Sequence, residues 1–227
     1  MEETPNTSTP NVDPAPAAPP TAKGSKGLVD RAKDILMKPK EEWAVIDGEP
    51  ATIGGLYTGY IMILAAIGPI AGLIGAQLFG YSALGFTYRP PLGSSIAMAV
   101  LSYVLSLVSV YVLALIIDAL APTFNGTKNQ VQAFKAAAYS MTAAWIAGIF
   151  GIIPALAILG ILGLYSLYLL YLGLPRLMRV SEDKAVGYTV VVIVAAIVLW
   201  FIVGMIVAQL TVSMFGGLGT ISGPGLR

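Results

Sequence analysis

The sequence predicts an all-α membrane protein, a bundle of five transmembrane helices preceded by a short amphipathic helix. Of its 227 residues, 56% are hydrophobic and 11% are charged, whereas about a quarter of the residues in a soluble domain are charged. Nearly all of the 13 Lys and Arg residues fall before residue 41, in 128–135 or in 176–184. The apolar stretches between these basic segments are long enough to cross a bilayer core, which takes about 20 helical residues.

The N-terminal region precedes the membrane domain and divides into two segments. Residues 1–27 are rich in Pro and Ala and bury too little apolar surface to become ordered, which predicts a disordered cytoplasmic tail. In the segment 28–49, apolar and charged residues between Leu28 and Lys38 occupy opposite faces of a helix that Pro39 ends. This amphipathic helix covers either the membrane interface or the protein's own cytoplasmic face, and the sequence leaves both alternatives open.

Two long spans open the membrane domain, which is predicted over 50–214. The first span, 53–80, contains Pro69, which is expected to kink or break the helix. The second span runs over 94–120, and Pro122 closes it.

The rest of the membrane domain is less regular. No charged residue occurs in 136–175, a length that suits two short helices with a turn at Pro154. Two full crossings and a re-entrant hairpin both fit this stretch. The last span covers 187–214, and a Gly-rich extracytoplasmic tail is predicted over 215–227.

The distribution of basic residues predicts the orientation. Eleven Lys and Arg residues lie before the first span and in the second and fourth loops, and only Arg89 and Arg227 lie in the alternate compartments. Cytoplasmic loops carry the excess of Lys and Arg. The N-terminus is therefore predicted to be cytoplasmic and the C-terminus extracytoplasmic.

The absence of Cys and His excludes several chemistries. Disulfides, thiolate nucleophiles and Cys-ligated metals cannot form, and the commonest general base and metal ligand is missing. A net charge of +1 gives no signal for nucleic acid. We expect no enzymatic activity, no cofactor, no metal site and no nucleic-acid partner.

One acidic residue, Asp118, lies inside a predicted span, where a carboxylate is costly and suggests function. Its candidate partners are Lys128 and Lys135, although a carboxylate so near the interface can also reach water. Several Tyr residues lie at the cytoplasmic ends of spans, as in an ordinary aromatic belt. The sharper hypothesis is a polar groove open to the cytoplasm, lined by Asp118, Tyr57, Tyr139 and Ser140.

Two further groups of residues suit contacts made in or at the membrane. Small residues let helices approach closely, which predicts helix-association faces at Gly68, Gly72, Gly204 and Ala208. Basic side chains near the cytoplasmic surface attract anionic headgroups by about 1 kcal/mol each. The membrane-surface basic residues are Lys33, Lys38, Arg176 and Arg179.

Three stretches resemble the bacterial branch of the Yip1 family. They read PKEEWAVIDGE from Pro39, GTKNQVQAFKAAAYSMTAAWIAGIFGIIP from Gly126 and YSLYLLYLGLPRLMRVSEDKAVGY from Tyr165. The segment Ala138-Tyr139-Ser140 matches the family's small-Tyr-Ser element, and the resemblance covers about residues 28–212. The Asp-Leu-Tyr-Gly-Pro motif of eukaryotic members is not present in the N-terminal region.

The resemblance implies an architecture and a mode of action. Eukaryotic Yip1 proteins are membrane adaptors that associate with prenylated Rab GTPases and with one another, and bacteria lack that Rab machinery. We expect a non-enzymatic adaptor or scaffold of the bacterial inner (plasma) membrane that associates laterally with lipids, with other membrane proteins or with itself. The alternative is a small transporter, channel or lipid-moving protein that uses Asp118 and the span kinked at Pro69.

Overall fold

A computed structural model describes residues 26–83, 86–215 and 221–222. The tails predicted over 1–27 and 215–227 fall almost entirely outside the described residues. Within the described residues the chain forms α1 (Leu28–Met37), α2 (Pro39–Gly48), α3 (Ile53–Leu78), α4 (Leu92–Phe124), α5 (130–152), α6 (Pro154–Leu177) and α7 (Glu182–Phe215).

Four helices, α3, α4, α6 and α7, are long and apolar enough to cross a membrane. They correspond to four of the five predicted spans. The third predicted span corresponds to α5, which is not among these four. It consists of Gln130–Ser140, Thr142–Ala147 and a 3₁₀ turn over Gly148–Ile152, with an interruption at Met141.

The centre of the bundle is occupied by α5. It packs against α3, α4 and α6, and every residue from Ala133 to Ser140 is buried. Because protein surrounds this helix, it does not need a uniformly apolar surface, and Lys135 and Thr142 can lie within it. In contrast, α7 packs against α4 and α6 and exposes large apolar side chains such as Trp200, as a lipid-facing helix does.

The first membrane helix, α3, is irregular at two places. A π-helical turn covers Tyr57–Ile61, and the helix is interrupted at Ala66. Pro69 explains the interruption, because its ring lacks an N–H and crowds the carbonyl of Ala65, four residues earlier. The expected break therefore lies one turn before the proline.

Glycines bring α3 and α5 into close contact. A Cβ atom built at Gly148 would lie 2.8 Å from the Cα of Gly68, and one at Gly75 would lie 2.4 Å from the carbonyl oxygen of Gly151. A Cβ at Gly72 meets no atom within 4 Å. Gly68 and its neighbours thus pack against α5 within the chain.

The loops that connect the helices lie at the two ends of the bundle. At one end, the Thr127 N–H donates to the Met178 carbonyl at 2.7 Å, which joins the loop before α5 to the loop after α6. The Arg179 guanidinium reaches Asp47 at 3.2 Å, which brings α2 to the same end. The three basic segments of the sequence therefore meet there.

A small antiparallel sheet forms at the other end, between α3 and α4. Strands β1 (Tyr81–Ala83) and β2 (Phe86–Tyr88) make a hairpin, and β3 (Ile221–Ser222) pairs with β2. The sequence predicted only a linker and a tail in these places. Three-residue strands carry too little periodicity to be recognised, and the pairing of β3 with β2 is non-local.

Candidate functional site

The helices α1 and α2 form a hairpin that lies on α5 and α6. Lys38 separates them in a non-helical conformation, with φ −136° and ψ 55°, and Pro39 occupies the first turn of α2, where its missing N–H has no cost. The Trp43 indole is 1% exposed and packs on Gly173 of α6 and edge-on against the Tyr139 ring, with ring centroids 6.4 Å apart. Ile35 of α1 is fully buried. Of the two surfaces left open by the sequence, the buried face of α1 covers protein.

A buried ion network joins the two helices of this hairpin. The Arg31 guanidinium donates to the carboxylates of Glu42 and Glu49 and lies over the Tyr139 ring, 5.5 Å from its centroid. The Arg31 and Glu42 side chains are each 3% exposed. Buried charges are tolerated when they are paired in this way, and removing one partner is costly.

The outer edge of the network is formed by Lys26. Its Nζ lies 2.6 Å from Glu42 Oε2 and 2.7 Å from Asp34 Oδ2. Hydrogen bonds to Asp34 and then Glu42 raise the Lys26 pKa, and the bond from Lys26 lowers the pKa of Asp34. Desolvation by burial lowers the pKa of Arg31. The hydrogen bond and the charge of Glu49 raise it, Tyr139 and Glu42 add smaller contributions in the same direction, and the net effect is a raised pKa.

Two side chains of α5 bind the C-terminal end of α2. Lys135 Nζ donates to the Ile46 carbonyl at 2.8 Å and to the Glu49 carbonyl at 2.5 Å. Gln132 Nε2 donates to the Asp47 carbonyl at 3.1 Å. The last carbonyls of a helix lack intrahelical partners, and a cation there is favourable. Lys135, a candidate partner of Asp118 from the sequence, is thus engaged by α2.

A cavity of about 440 Å³ adjoins this network. Its polar lining consists of Lys26, Arg31, Glu49, Thr52, Tyr60, Lys135 and Tyr139. The first turns of α3 form another wall, where Gly55 and Gly59 leave the backbone uncovered. The Tyr60 hydroxyl is fixed by Thr142 Oγ1 at 2.7 Å. The π-helical turn of α3 carries Gly59 and Tyr60, and such turns are frequent at functional sites.

Of the four residues predicted to line a polar groove, Tyr139 lines this cavity. The other three residues do not line this cavity. The Tyr57 hydroxyl donates to the Leu107 carbonyl at 3.0 Å, and Ser140 Oγ donates to the Ala137 carbonyl at 3.1 Å. Asp118 is 8% exposed, and its Oδ1 has no hydrogen-bond partner among the described residues.

The predicted association and surface residues also have definite places. Gly68 faces Gly148 of α5, and a Cβ atom built at Gly151 of α5 lies 3.7 Å from the backbone nitrogen of Gly72, although a Cβ at Gly72 itself meets nothing within 4 Å. Gly204 and Ala208 are exposed on α7. A Cβ atom at Gly204 meets nothing within 4 Å in the described residues. Lys33 is exposed on α1 and Lys38 is exposed just beyond its end. Arg176 and Arg179 lie 3.8 and 3.2 Å from the Asp47 carboxylate.

A second cavity, of about 550 Å³, lies between α3, α4 and α5. Gly68, Pro69 and Gly72 line one side and Trp145 another. Its lining among the described residues does not include Asp118. The two features on which the transport alternative depends are therefore separate in the structure.

The charged core of the site is absent from the residues predicted as functional. This charged core consists of Lys26, Arg31, Glu42 and Glu49. Each looks like part of a solvated helix face in the sequence. The available signal is that Arg31 directly precedes Ala32 on the apolar side of α1 and that Glu42 directly precedes Trp43. The pairing requires the hairpin at Lys38, which the sequence predicts only as the end of a helix.

Comparison with known families gives one match. The family model of the Yip1 domain matches residues 33–205, which is well over half of the chain. No curated protein and no solved structure matches the chain.

Proposed function

Because the chain belongs to the Yip1 family, we propose that it acts as a non-enzymatic adaptor or scaffold that associates laterally with membrane proteins or lipids. The observation that carries this proposal is the surface of α7. Its apolar stretch is largely uncovered, and the small residues Gly204 and Ala208 lie on it in the open. Small residues on an open membrane helix permit close approach of another helix. The partners are other membrane proteins, a second copy of the chain or lipids.

The charged groups of the candidate site support a structural role in this adaptor. The ion pairs of Arg31 join α1 to α2, and Lys135 of α5 holds this hairpin through the carbonyls at the end of α2. This arrangement gives the cytoplasmic end of the bundle a fixed shape. A fixed surface is what a scaffold needs, since a preorganised partner loses less freedom on binding.

The test of lateral association uses purification of the tagged full-length protein in native-lipid discs. The Gly204→Leu variant fills open space on α7, so the fold should persist while a helix partner is lost. Gly160→Leu is the matched control, because Gly160 is also exposed, on α6, with nothing within 4 Å of its Cβ. Loss of the co-purifying partner in Gly204→Leu alone supports the proposal. Retention of every partner by Gly204→Leu refutes it.

We further propose five crossings, with the N-terminus cytoplasmic and the C-terminus extracytoplasmic in the bacterial inner membrane. The 23 residues of α5 span about 34 Å at 1.5 Å per residue, which matches a bilayer core of about 30 Å. The end of α5 lies against Gly75, three residues before α3 ends at Leu78. The pairing of β3 with β2 supports placing the C-terminus on the side of the loop between α3 and α4.

Single cysteines test this topology without background, because the chain has no Cys. An impermeant maleimide should label Ile153→Cys, in the turn between α5 and α6, as readily on intact cells as Ser94→Cys at the start of α4. Ser181→Cys, in the loop between α6 and α7, should need permeabilised cells. If Ile153→Cys behaves like Ser181→Cys, the stretch is a re-entrant hairpin.

The second candidate function is a small transporter, channel or lipid-moving protein. It is favoured by the cavity beside Pro69 and by the buried, partly unbonded carboxylate of Asp118. Asp118→Asn keeps the shape of the side chain and removes its charge. A variant that keeps its partners but loses the physiological phenotype would favour transport over scaffolding.

A further inference from the structure

We propose that the cavity bounded by α1, α2, α5 and the start of α3 binds a phosphate group, carried by a phospholipid headgroup or by a small soluble phosphate. The site and its ligand are independent of lateral association through α7. The inference depends on the balance of donors and acceptors, on the shape of the cavity and on its place in the fold.

The cationic side chains that line the cavity carry more N–H donors than they use in hydrogen bonds to the described residues. Arg31 has five N–H donors, and Lys26 and Lys135 have three each. Each of these three side chains makes two hydrogen bonds in the structure. Five N–H donors therefore have no acceptor among the described residues.

Each carboxylate of the network already accepts from a cationic side chain. Glu42 accepts from Arg31 with one carboxylate oxygen and from Lys26 with the other. Glu49, the one carboxylate that lines the cavity, accepts from Arg31, and its carbonyl accepts from Lys135. Phosphate brings several acceptor oxygens and a negative charge in one compact group, and Arg and Lys are the side chains that bind it best.

The remaining walls suit a phosphate with an apolar attachment. The backbone at Gly55 and Gly59 is uncovered, and Thr52, which caps the N-terminus of α3, lines the cavity, so the positive end of that helix adjoins it. Leu28, Ile46 and Leu56 add apolar surface beside the cationic groups. The cavity lies at the end of the bundle where the basic segments meet, which is the level of the cytoplasmic headgroups in the proposed topology.

The test measures thermal unfolding of the delipidated full-length protein in an uncharged detergent. Three additions are compared at matched ionic strength: dioleoylphosphatidylglycerol, dioleoylglycerol and inorganic phosphate. Gly59→Leu fills the cavity, and Gly54→Leu is its control on the same helix. Both glycines are exposed with no atom within 4 Å of a built Cβ, but only Gly59 lines the cavity.

We expect phosphatidylglycerol to raise the Tm of the wild type and of Gly54→Leu by about 5 °C or more at a hundredfold excess over Kd. Gly59→Leu should keep a normal Tm without ligand and lose this rise. The same Gly59-dependent rise with inorganic phosphate would support the phosphate site and make a soluble phosphate its ligand. An equal rise in Gly59→Leu, no rise with either phosphate compound, or an equal rise with dioleoylglycerol would overturn the proposal.

Discussion

The contact between α3 and α5 can be tested with two glycines of the same helix. An Ala at Gly75 would place its methyl group 2.4 Å from the Gly151 carbonyl oxygen and 2.7 Å from that of Ile152. Both obstacles are main-chain atoms, so relief requires the helices to separate. The same substitution at Gly72 meets nothing within 4 Å.

The magnitude follows from two opposing contributions. Replacing Gly by Ala inside a helix stabilises it by about 0.5–1 kcal/mol, and this gain is common to both variants. Overpacking costs about 1–3 kcal/mol, and it applies to Gly75→Ala alone. The free energy of unfolding of Gly75→Ala should therefore lie about 1–3 kcal/mol below that of Gly72→Ala. We expect the upper half of that range, because the contacts are shorter than any that real Cβ atoms make.

The assay is reversible unfolding of both variants in mixed micelles under identical conditions. The common propensity gain then cancels in the difference between them. Equal stabilities, or a less stable Gly72→Ala, would refute the close approach of α5 to the end of α3. They would also remove the main support for two full crossings in 130–177.

The other predictions concern the docked hairpin of α1 and α2. Arg31→Met should destabilise the protein by about 3–5 kcal/mol, because it leaves the buried carboxylate of Glu42 without its main partner. The control Lys38→Met should change the free energy of unfolding by less than about 0.5 kcal/mol. Chemical denaturation measures both variants, and equal effects would contradict the ion network. Gly173→Ala should lower the free energy of unfolding by about 1–3 kcal/mol, since a Cβ atom built at this position lies 2.6 Å from the indole ring of Trp43. The fluorescence of Trp43 should shift as well, and an unchanged emission spectrum would contradict this packing. The lowered pKa of Asp34 stabilises the folded state above the unfolded pKa of about 3.9, and this contribution is lost as the pH falls through the folded pKa. The stabilities of wild type and Asp34→Asn, measured by chemical denaturation, should therefore differ at neutral pH and converge in acid; an equal difference at both pH values would contradict the pair with Lys26.

Hydropathy predicted the helices that contact lipid and was less informative about the helix that does not. The spans α3, α4, α6 and α7 are recognisable because lipid contact demands continuous apolar surface. α5 escapes this demand, since its residues from Ala133 to Ser140 are enclosed by protein. The family was also predicted from the sequence and is confirmed by the match over 33–205.

The candidate site depends on contacts that no local pattern contains. Arg31 and Glu42 are on different helices and meet only because the chain reverses at Lys38. Lys135 approaches α2 from almost ninety positions further along the chain. Predicting such pairs requires the docking of the hairpin, which also involves the close fit of Trp43 against Gly173 of another helix.

The enclosed position of α5 has a consequence for biogenesis. A helix that carries Lys135 and Thr142 is poorly suited to leave the insertion machinery alone, because lipid would surround those groups before protein does. Synthesis from the N-terminus supplies α3 and α4 first, so two of its walls are present when α5 emerges. The third wall, α6, follows directly after the turn at Ile153. In the five-crossing topology proposed above, membrane insertion of this segment is inseparable from tertiary folding, and nascent chains that end before α6 should expose a segment that quality-control proteases can recognise.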